Sequence, residues 1–443
     1  MITKNIKYIL LWLLLCSLSC ITQAKDVNVN TIERVAVNAY AYYSNNEGIK
    51  ELVKNVIPLK KKSETFAYIC NFEKGFVIVS ADDVAQPILG YGFSGPIDTA
   101  NMAPAAKFLL DGYQEEIHHA KMTKAATSEE IQANWNRFIN DSHPKVMYNP
   151  NSYLIQSTWD QRGHNKPTST MTYNYYCPRD SITNQKTLVG CGGVATAQIL
   201  RYWGCQCNMH GIVHNDYENR DMHLYNQNYI WESMTSTNPN LYNAILLYHC
   251  AFAINSVFGT SSTNSTMEEI YFIFRSNFGF DQTDIIYKDF FSTQAWIDTL
   301  KYHINKRTPI LYSGMNSTSS VGHGWVVDGY DNNDYFHCNF GWGGDGDGYF
   351  PFNNVTPTYS SNGITYSHTY NTNFVALINI YPTDNVTTVL QNTTLYSGTQ
   401  TGHTISVENC NINNNASVIL DADCGTAIYG PFSMTTGSTL TIQ

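Results

Sequence analysis

The chain runs to 443 residues, more than one hydrophobic core serves, so two or more folded units are expected. Hydrophobic residues make up 43% and aromatic residues 13%, a composition that excludes a disordered chain. With 26 basic against 36 acidic residues and a formal net charge of -10, the sequence has no Lys/Arg-rich stripe to track phosphates, which leaves nucleic-acid binding without support.

In chain order, residues 1–24 open with Lys4 and Lys7, continue through an apolar run from Ile9 to Leu15, and end in small and polar residues, the pattern of a secretory signal peptide. The run is too short for a membrane span, and no later segment reaches the length one needs. The expected localisation is therefore secreted or at the cell surface.

Residues 25–145 read as a small α+β region. Phe76-Val77-Ile78-Val79-Ser80 and Pro87-Ile88-Leu89-Gly90-Tyr91 are expected strands, and Ala105 to His118 has apolar residues at helical spacing. The polar stretch around Ser142-His143-Pro144-Lys145 suits an accessible linker. Residues 146–382 then give helices first (Val194 to Trp203, Leu241 to Phe258, Met267 to Phe278, Gln294 to Ile304) and strands afterwards, at Ile310-Leu311-Tyr312, Trp325-Val326-Val327, Tyr335 to Asn339 and Phe374 to Ile378. That order indicates an α+β domain. From residue 383 the composition turns to Thr, Asn, Ser and Gly with short alternating strands at Thr404 to Val407, Ser417 to Leu420 and Thr439 to Ile442, a small all-β appendage of stacked-repeat character. Cys410 and Cys424 flank its Asn-rich turn and are the one pair whose spacing suits a disulfide.

The chemistry concentrates in 146–382. Cys191 stands at the expected N-terminus of an apolar helix, where unpaired amides and the helix dipole favour a thiolate. Taken alone, a buried and inert cysteine in a helix-packing role would be the better explanation. His323, between Gly322 and Gly324, opens a strand and offers an accessible imidazole, and Asn339 followed by Gly341-Trp342-Gly343-Gly344 supplies an amide to orient it and an indole to screen that contact. His323 and Asn339 lie about 130 and 150 residues beyond Cys191, the separation expected of a Cys/His/Asn nucleophilic site.

With these motifs the segment resembles the streptopain family of bacterial cysteine peptidases, in the papain-like clan: Cys191 with Ala195-Thr196-Ala197-Gln198-Ile199, Gly322-His323, and Asn339-x-Gly341-Trp342-Gly343-Gly344. Trp159-Asp160-Gln161 is similar to the family's Trp-x-Gln element, which implies that Gln161 donates to the oxyanion. Gly75 to Ser80 and Leu89-Gly90-Tyr91 resemble its propeptide. The resemblance implies a papain-like α+β peptidase domain over 146–382, an inhibitory propeptide over 25–145, and a secreted zymogen that hydrolyses protein and peptide substrates and has its own propeptide as intramolecular inhibitor. Its catalytic residues would be Cys191, His323, Asn339, Gln161 and Trp342, with no cofactor and no metal. Gly192-Gly193 depart from the family pattern and cost about 1 kcal/mol each in helix propensity. This departure keeps in view a weak or inactive surface adhesin on the peptidase fold, and because papain-like sites serve several acyl transfers an amidase or transamidase using the same triad stays open as well.

Several other signals are discounted. His210, His214 and His223 lack acidic or thiolate partners at a metal-binding spacing. Asp345-Gly346-Asp347-Gly348 reads as a tight glycine turn, and Asp328, five residues along the strand of His323, is a less suitable partner for that histidine than Asn339.

Overall fold

The structure, a computed structural model, describes residues 25–44, 50–142, 153–163, 171–227, 229–315, 322–353, 355–356, 359–361, 364–366, 374–382 and 387–442. The expected signal segment and most of the expected linker lie outside them. Along the chain follow α1 (Val29–Tyr43), β1 (Asn55–Lys61), β2 (Glu64–Asn71), β3 (Phe76–Ser80), β4 (Ile88–Gly92), α2 (Pro104–Met122), α3 (Glu129–Ile139) and α4 (Cys191–Trp203). Next are β5 (Ile212–Asn215), β6 (Arg220–His223), α5 (Leu241–Ala253), α6 (Met267–Asn277), β7 (Asp284–Tyr287), α7 (Thr293–Asn305), β8 (Ile310–Met315), β9 (Gly322–Tyr330), β10 (Tyr335–Asn339) and β11 (Gly348–Pro351). Last are β12 (Tyr359–Ser361), β13 (Ile364–Tyr366), β14 (Phe374–Ile378), β15 (Thr387–Gln391), β16 (Thr394–Leu395), β17 (Gly398–Ile412), β18 (Ser417–Met434) and β19 (Thr439–Ile442). The chain is of mixed α+β class, as its sequence order implies.

Two compact units are present. The first gathers residues 1–158, 287–307 and 312–376; the second gathers 159–286, 308–311 and 377–443.

In the first unit the strands run in the order β1-β2-β3-β4-β11-β10-β9-β8. Residues 25–145 thus share one sheet with strands some 250 residues later: β4 pairs antiparallel with β11 through Tyr91 and Tyr349. The pairing is sealed by stacked rings, Tyr43 on Tyr91 at 3.8 Å and Tyr91 on Tyr349 at 5.1 Å between centroids. One face of the sheet is covered by α1 and α3, whose Ile32, Val35, Ala39, Tyr43, Ile131, Trp135 and Phe138 form a core with Val77, Val79 and Ile88. Both helices start on a capping side chain, Asn28 accepting from Thr31 N and Ser128 from Ile131 N.

In the second unit α4 is buried between α5 and α6. The helix at Leu241 ends at Ala253, five residues before the apolar run does, because Asn255 adopts a left-handed conformation (φ 52°) and directs its side chain to Asp216. The C-terminal strands form a parallel ladder, β15 on β17, β17 on β18 and β18 on β19, over a small core of Ile405, Val407, Ile412, Val418 and Leu420. The expected disulfide is not made: Cys410 is a buried free thiol donating to the Leu390 carbonyl at 3.1 Å. The ladder register sets Cys410 opposite Phe432, not opposite Cys424.

Candidate functional site

The expected site residues fall into both units, and each group is described within its own. In the second unit, Cys191 is the first residue of α4. Gly190 precedes it at φ 88°, a conformation that an L side chain rarely adopts, and a Cβ there would stand 2.9 Å from the Thr263 carbonyl oxygen. The loop before the helix is held by Leu188 N to Gly259 O (2.9 Å) and by Thr263 Oγ1 to Leu188 O (2.8 Å). Among the described residues no side chain caps this helix start. Among the described cysteines, Cys70, Cys177, Cys250, Cys338 and Cys410 are buried, whereas Cys191 and Cys207 are partly exposed, the latter donating to Leu200 O at 3.4 Å. Burial pushes the Cys70 and Cys177 thiols up to about 12.

Gly192 and Gly193 have a packing reason. A Cβ at Gly192 would meet Ser265 Oγ at 2.6 Å, and one at Gly193 would meet the Ala251 and Val189 side chains at 3.0 and 3.1 Å. The glycines let α4 approach its neighbours closely, which offsets their low helix propensity and removes the feature that favoured an inactive site.

Gln161 belongs to the same unit and is 8% exposed. Its carbonyl accepts from Val189 N at 3.2 Å, which ties the Trp159-Asp160-Gln161 segment to the loop before Cys191. Asp160, buried, folds its carboxylate back to accept from Arg162 N (3.2 Å) and Gly163 N (3.0 Å). The charged neighbourhood of Gln161 thus forms a local turn.

In the first unit, His323 lies near the start of β9. Burial lowers its pKa below the ordinary imidazole value. Phe108 of α2 contributes to that burial, its ring edge-on to the imidazole at 6.0 Å between centroids. The same phenyl ring lies over Gly314, where any Cβ would come within 2.4 Å of it, and is flanked by Trp325 and Phe374. Asn339, 2% exposed, donates through Nδ2 to Ser157 O (2.7 Å) and accepts at Oδ1 from Gly341 N (3.2 Å). Trp342 donates its indole N–H to the carbonyl of Asn101 at 2.9 Å. Residues 101 and 108, both in the region read as a propeptide, therefore touch two of the expected site residues.

Asp328 is engaged elsewhere. The β9–β10 register slips here, with His337 opposite Gly329 and Cys338 opposite Val327, so Asp328 stands at a bulge in β9. Its Oδ1 is 2.6 Å from His337 Nδ1, its Oδ2 accepts from Ile155 N at 2.6 Å, and His337 stacks on Tyr153 at 3.9 Å. Sequence reasoning missed this buried pair, which the bulged pairing of β9 and β10 brings together. Asp347 turns inward to accept from Phe340 N (2.8 Å), and burial raises it to about 7. His214 does acquire an acidic partner, since antiparallel pairing of β5 and β6 sets it opposite Asp221, 2.7 Å from Nδ1.

Residues 168–350 match the Peptidase C10 family and residues 25–117 match the Spi protease inhibitor family. Streptopain of Streptococcus pyogenes is 26% identical over 326 residues, covering 67% of this chain and 76% of that protein. A thiol protease/hemagglutinin, PrtT, from Porphyromonas gingivalis is 25% identical over 403 residues, covering 86% of this chain and 45% of that protein. Among solved structures, a fragment of prointerpain A from Prevotella intermedia aligns with a TM-score of 0.54 at 23% identity, over 74% of this chain and 98% of the fragment, a likeness of fold.

Proposed function

The chain belongs to the Peptidase C10 family, and from that premise we propose that Cys191 is the nucleophile of a thiol endopeptidase whose N-terminal region keeps it latent. Cysteine-type endopeptidase activity and synthesis as a zymogen follow from the family and from the inhibitor-like segment ahead of the peptidase segment. The observation that carries the assignment is the partly exposed thiol on the first residue of α4, at the end of the helix where its unpaired amides lie.

His323 takes the thiol proton, and the thiolate attacks the scissile carbonyl carbon to form a tetrahedral oxyanion. The Cys191 backbone N–H and the Gln161 side-chain amide donate to that oxyanion, each donor worth roughly 3 to 4 kcal/mol in the barrier. Collapse breaks the C–N bond, with the proton on His323 going to the leaving amine. Water, giving its proton to His323, then cleaves the thioester and restores the thiol. Asn339 orients the imidazole and Trp342 shields it.

Latency has a physical basis on the histidine side. Phe108 helps to desolvate His323, which favours its neutral form over the imidazolium that the ion pair requires. Cleavage near residues 142–148 would release the inhibitory region, and residues 1–24 would direct secretion. No helix among the described residues is long and apolar enough to cross a membrane.

The test follows the precursor and its Cys191→Ala variant by size and by casein cleavage, with and without a thiol-alkylating agent. The wild type is expected to mature and to cleave, and the variant to do neither. Cleavage that persists in the variant would exclude Cys191 as nucleophile.

A further inference from the structure

Gln198 is a fully buried amide on a helix whose other buried side chains at this level are the apolar Ala195, Ala197, Ile199 and Leu200 and the small hydroxyl residue Thr196. A buried amide is costly unless its polar atoms are bonded, and an apolar residue would fill the same space without that cost. Its Oε1 accepts from the backbone N–H of Trp159 at 3.1 Å. Gln198 lies two helical turns beyond Cys191, hence on the same side of α4. Trp159, in turn, is two residues before Gln161.

The short segment carrying Gln161 is therefore fixed on both sides. Ahead of Gln161, Trp159 N is held by Gln198 and Trp159 Nε1 by the Thr235 carbonyl at 2.8 Å. At Gln161 itself, the carbonyl is held by Val189 N at 3.2 Å. One fixing point is on the helix that begins with Cys191 and another is two residues before that helix.

We infer that Gln198 is a positioning residue for the acyl-transfer reaction: its hydrogen bond to Trp159 N sets the Gln161 amide in register with Cys191, so that the oxyanion donor and the nucleophile are borne by one rigid frame. The inference rests on the reading of Gln161 as an oxyanion donor. Misplacement of a donor by about 1 Å costs on the order of 100-fold in rate, and loss of a donor about 100- to 1000-fold.

The experiment compares Gln198→Met, which keeps the volume and removes the acceptor, with Gln198→Glu, which keeps an acceptor at the same reach, and with Gln161→Ala and the Gln161→Ala/Gln198→Met double variant. Each full-length precursor is matured by added wild-type enzyme, repurified, and assayed on a short peptide amide. In parallel, alkylation of Cys191 by iodoacetamide, which needs the thiolate and no oxyanion donor, is followed by peptide mass. Gln198→Met is expected to lose about 30- to 100-fold in kcat with little change in KM, and Gln198→Glu to remain within about five-fold of wild type. The double variant should be no slower than Gln161→Ala, and the alkylation rate should be unchanged in all four. Losses that multiply in the double variant, a Gln198→Met enzyme as fast as wild type, or alkylation that slows in step with turnover would each overturn the inference. A Gln161→Ala enzyme with full activity would overturn the prior reading of Gln161 instead, an outcome distinct from all three.

Discussion

The start of α4 and the start of β9 carry the two expected chemical partners, and they are held in different ways. Around Cys191, the supporting contacts come from residues 161, 188, 189, 259 and 263, all within the segment that follows residue 158. Around His323 and Trp342, part of the support comes from residues 101 and 108, in the inhibitor-like region. The proposed nucleophile is thus supported from within its own unit, while the proposed base touches the inhibitor-like region that the proposed cleavage would release. Under the proposed assignment, latency would act through the contacts that the inhibitor-like region makes with His323 and Trp342.

That contrast breaks most sharply at the reacting groups. Cys191→Ala and His323→Ala should each lower peptide cleavage by more than about 10000-fold in matured enzyme, measured as kcat/KM. A smaller loss for His323→Ala would mean that another base serves Cys191. Gln161→Ala should cost about 100- to 1000-fold, chiefly in kcat.

On the inhibitory side, Phe108→Ala removes the ring against His323. It should weaken docking by about 1 to 2 kcal/mol, so the precursor converts roughly ten-fold sooner in a time course, while the matured enzyme, lacking residue 108, turns over at the wild-type rate. An unchanged conversion rate would remove Phe108 from the account of latency.

The same sheet gives the precursor a pH dependence. Burial raises Glu116 of α2 to about 8, Asp347 to about 7 and Asp331 to about 6. Glu116 accepts from Val355 N at 2.9 Å, and Asp331 accepts from Tyr91 OH at 2.8 Å. For each acid the folded form binds the proton more tightly than the unfolded one. Stability is therefore greatest below the unfolded value near 4 and falls as pH rises through the folded values. The precursor's Tm should drop by a few degrees between about pH 5 and pH 8, and Glu116→Gln should flatten the upper part of that fall. A Tm that rises over this window would contradict the direction.

At the start of α4 the test is Gly190→Ala. Positive φ and the nearby Thr263 carbonyl should cost about 1 to 3 kcal/mol of stability in thermal unfolding, with activity falling only as the helix start shifts.

Much of this was legible in the sequence wherever one local rule decided the outcome. β3, β10, β14 and β19 coincide with runs of strand-forming residues, and the helix at Cys191 follows from apolar spacing after a glycine. Other features depend on partners distant in the chain. β1 contains Pro58 and three exposed polar positions, and it becomes a strand because β2 pairs with it. α1 is rich in Asn and Tyr, which have weak helix propensity, and is stabilised by packing on the sheet. The pairing of Tyr91 with Tyr349, the contact of Phe108 with His323, the Asp328–His337 pair and the bond from Trp159 to Gln198 all join residues whose proximity no local pattern encodes. Gly192 and Gly193 illustrate the same limit: propensity alone marks them as weak points, and only the neighbouring Ala251 and Ser265 reveal why a side chain does not fit.

The most direct measurement is the stoichiometry of iodoacetamide labelling at Cys191, mapped by peptide mass and set against residual peptide cleavage in the matured enzyme. Activity is expected to fall in proportion to the fraction of Cys191 alkylated and to vanish at one equivalent, with the buried Cys177, Cys250 and Cys338 unlabelled while the fold is intact. Cleavage that survives complete alkylation of Cys191 would contradict the assignment on which the account stands.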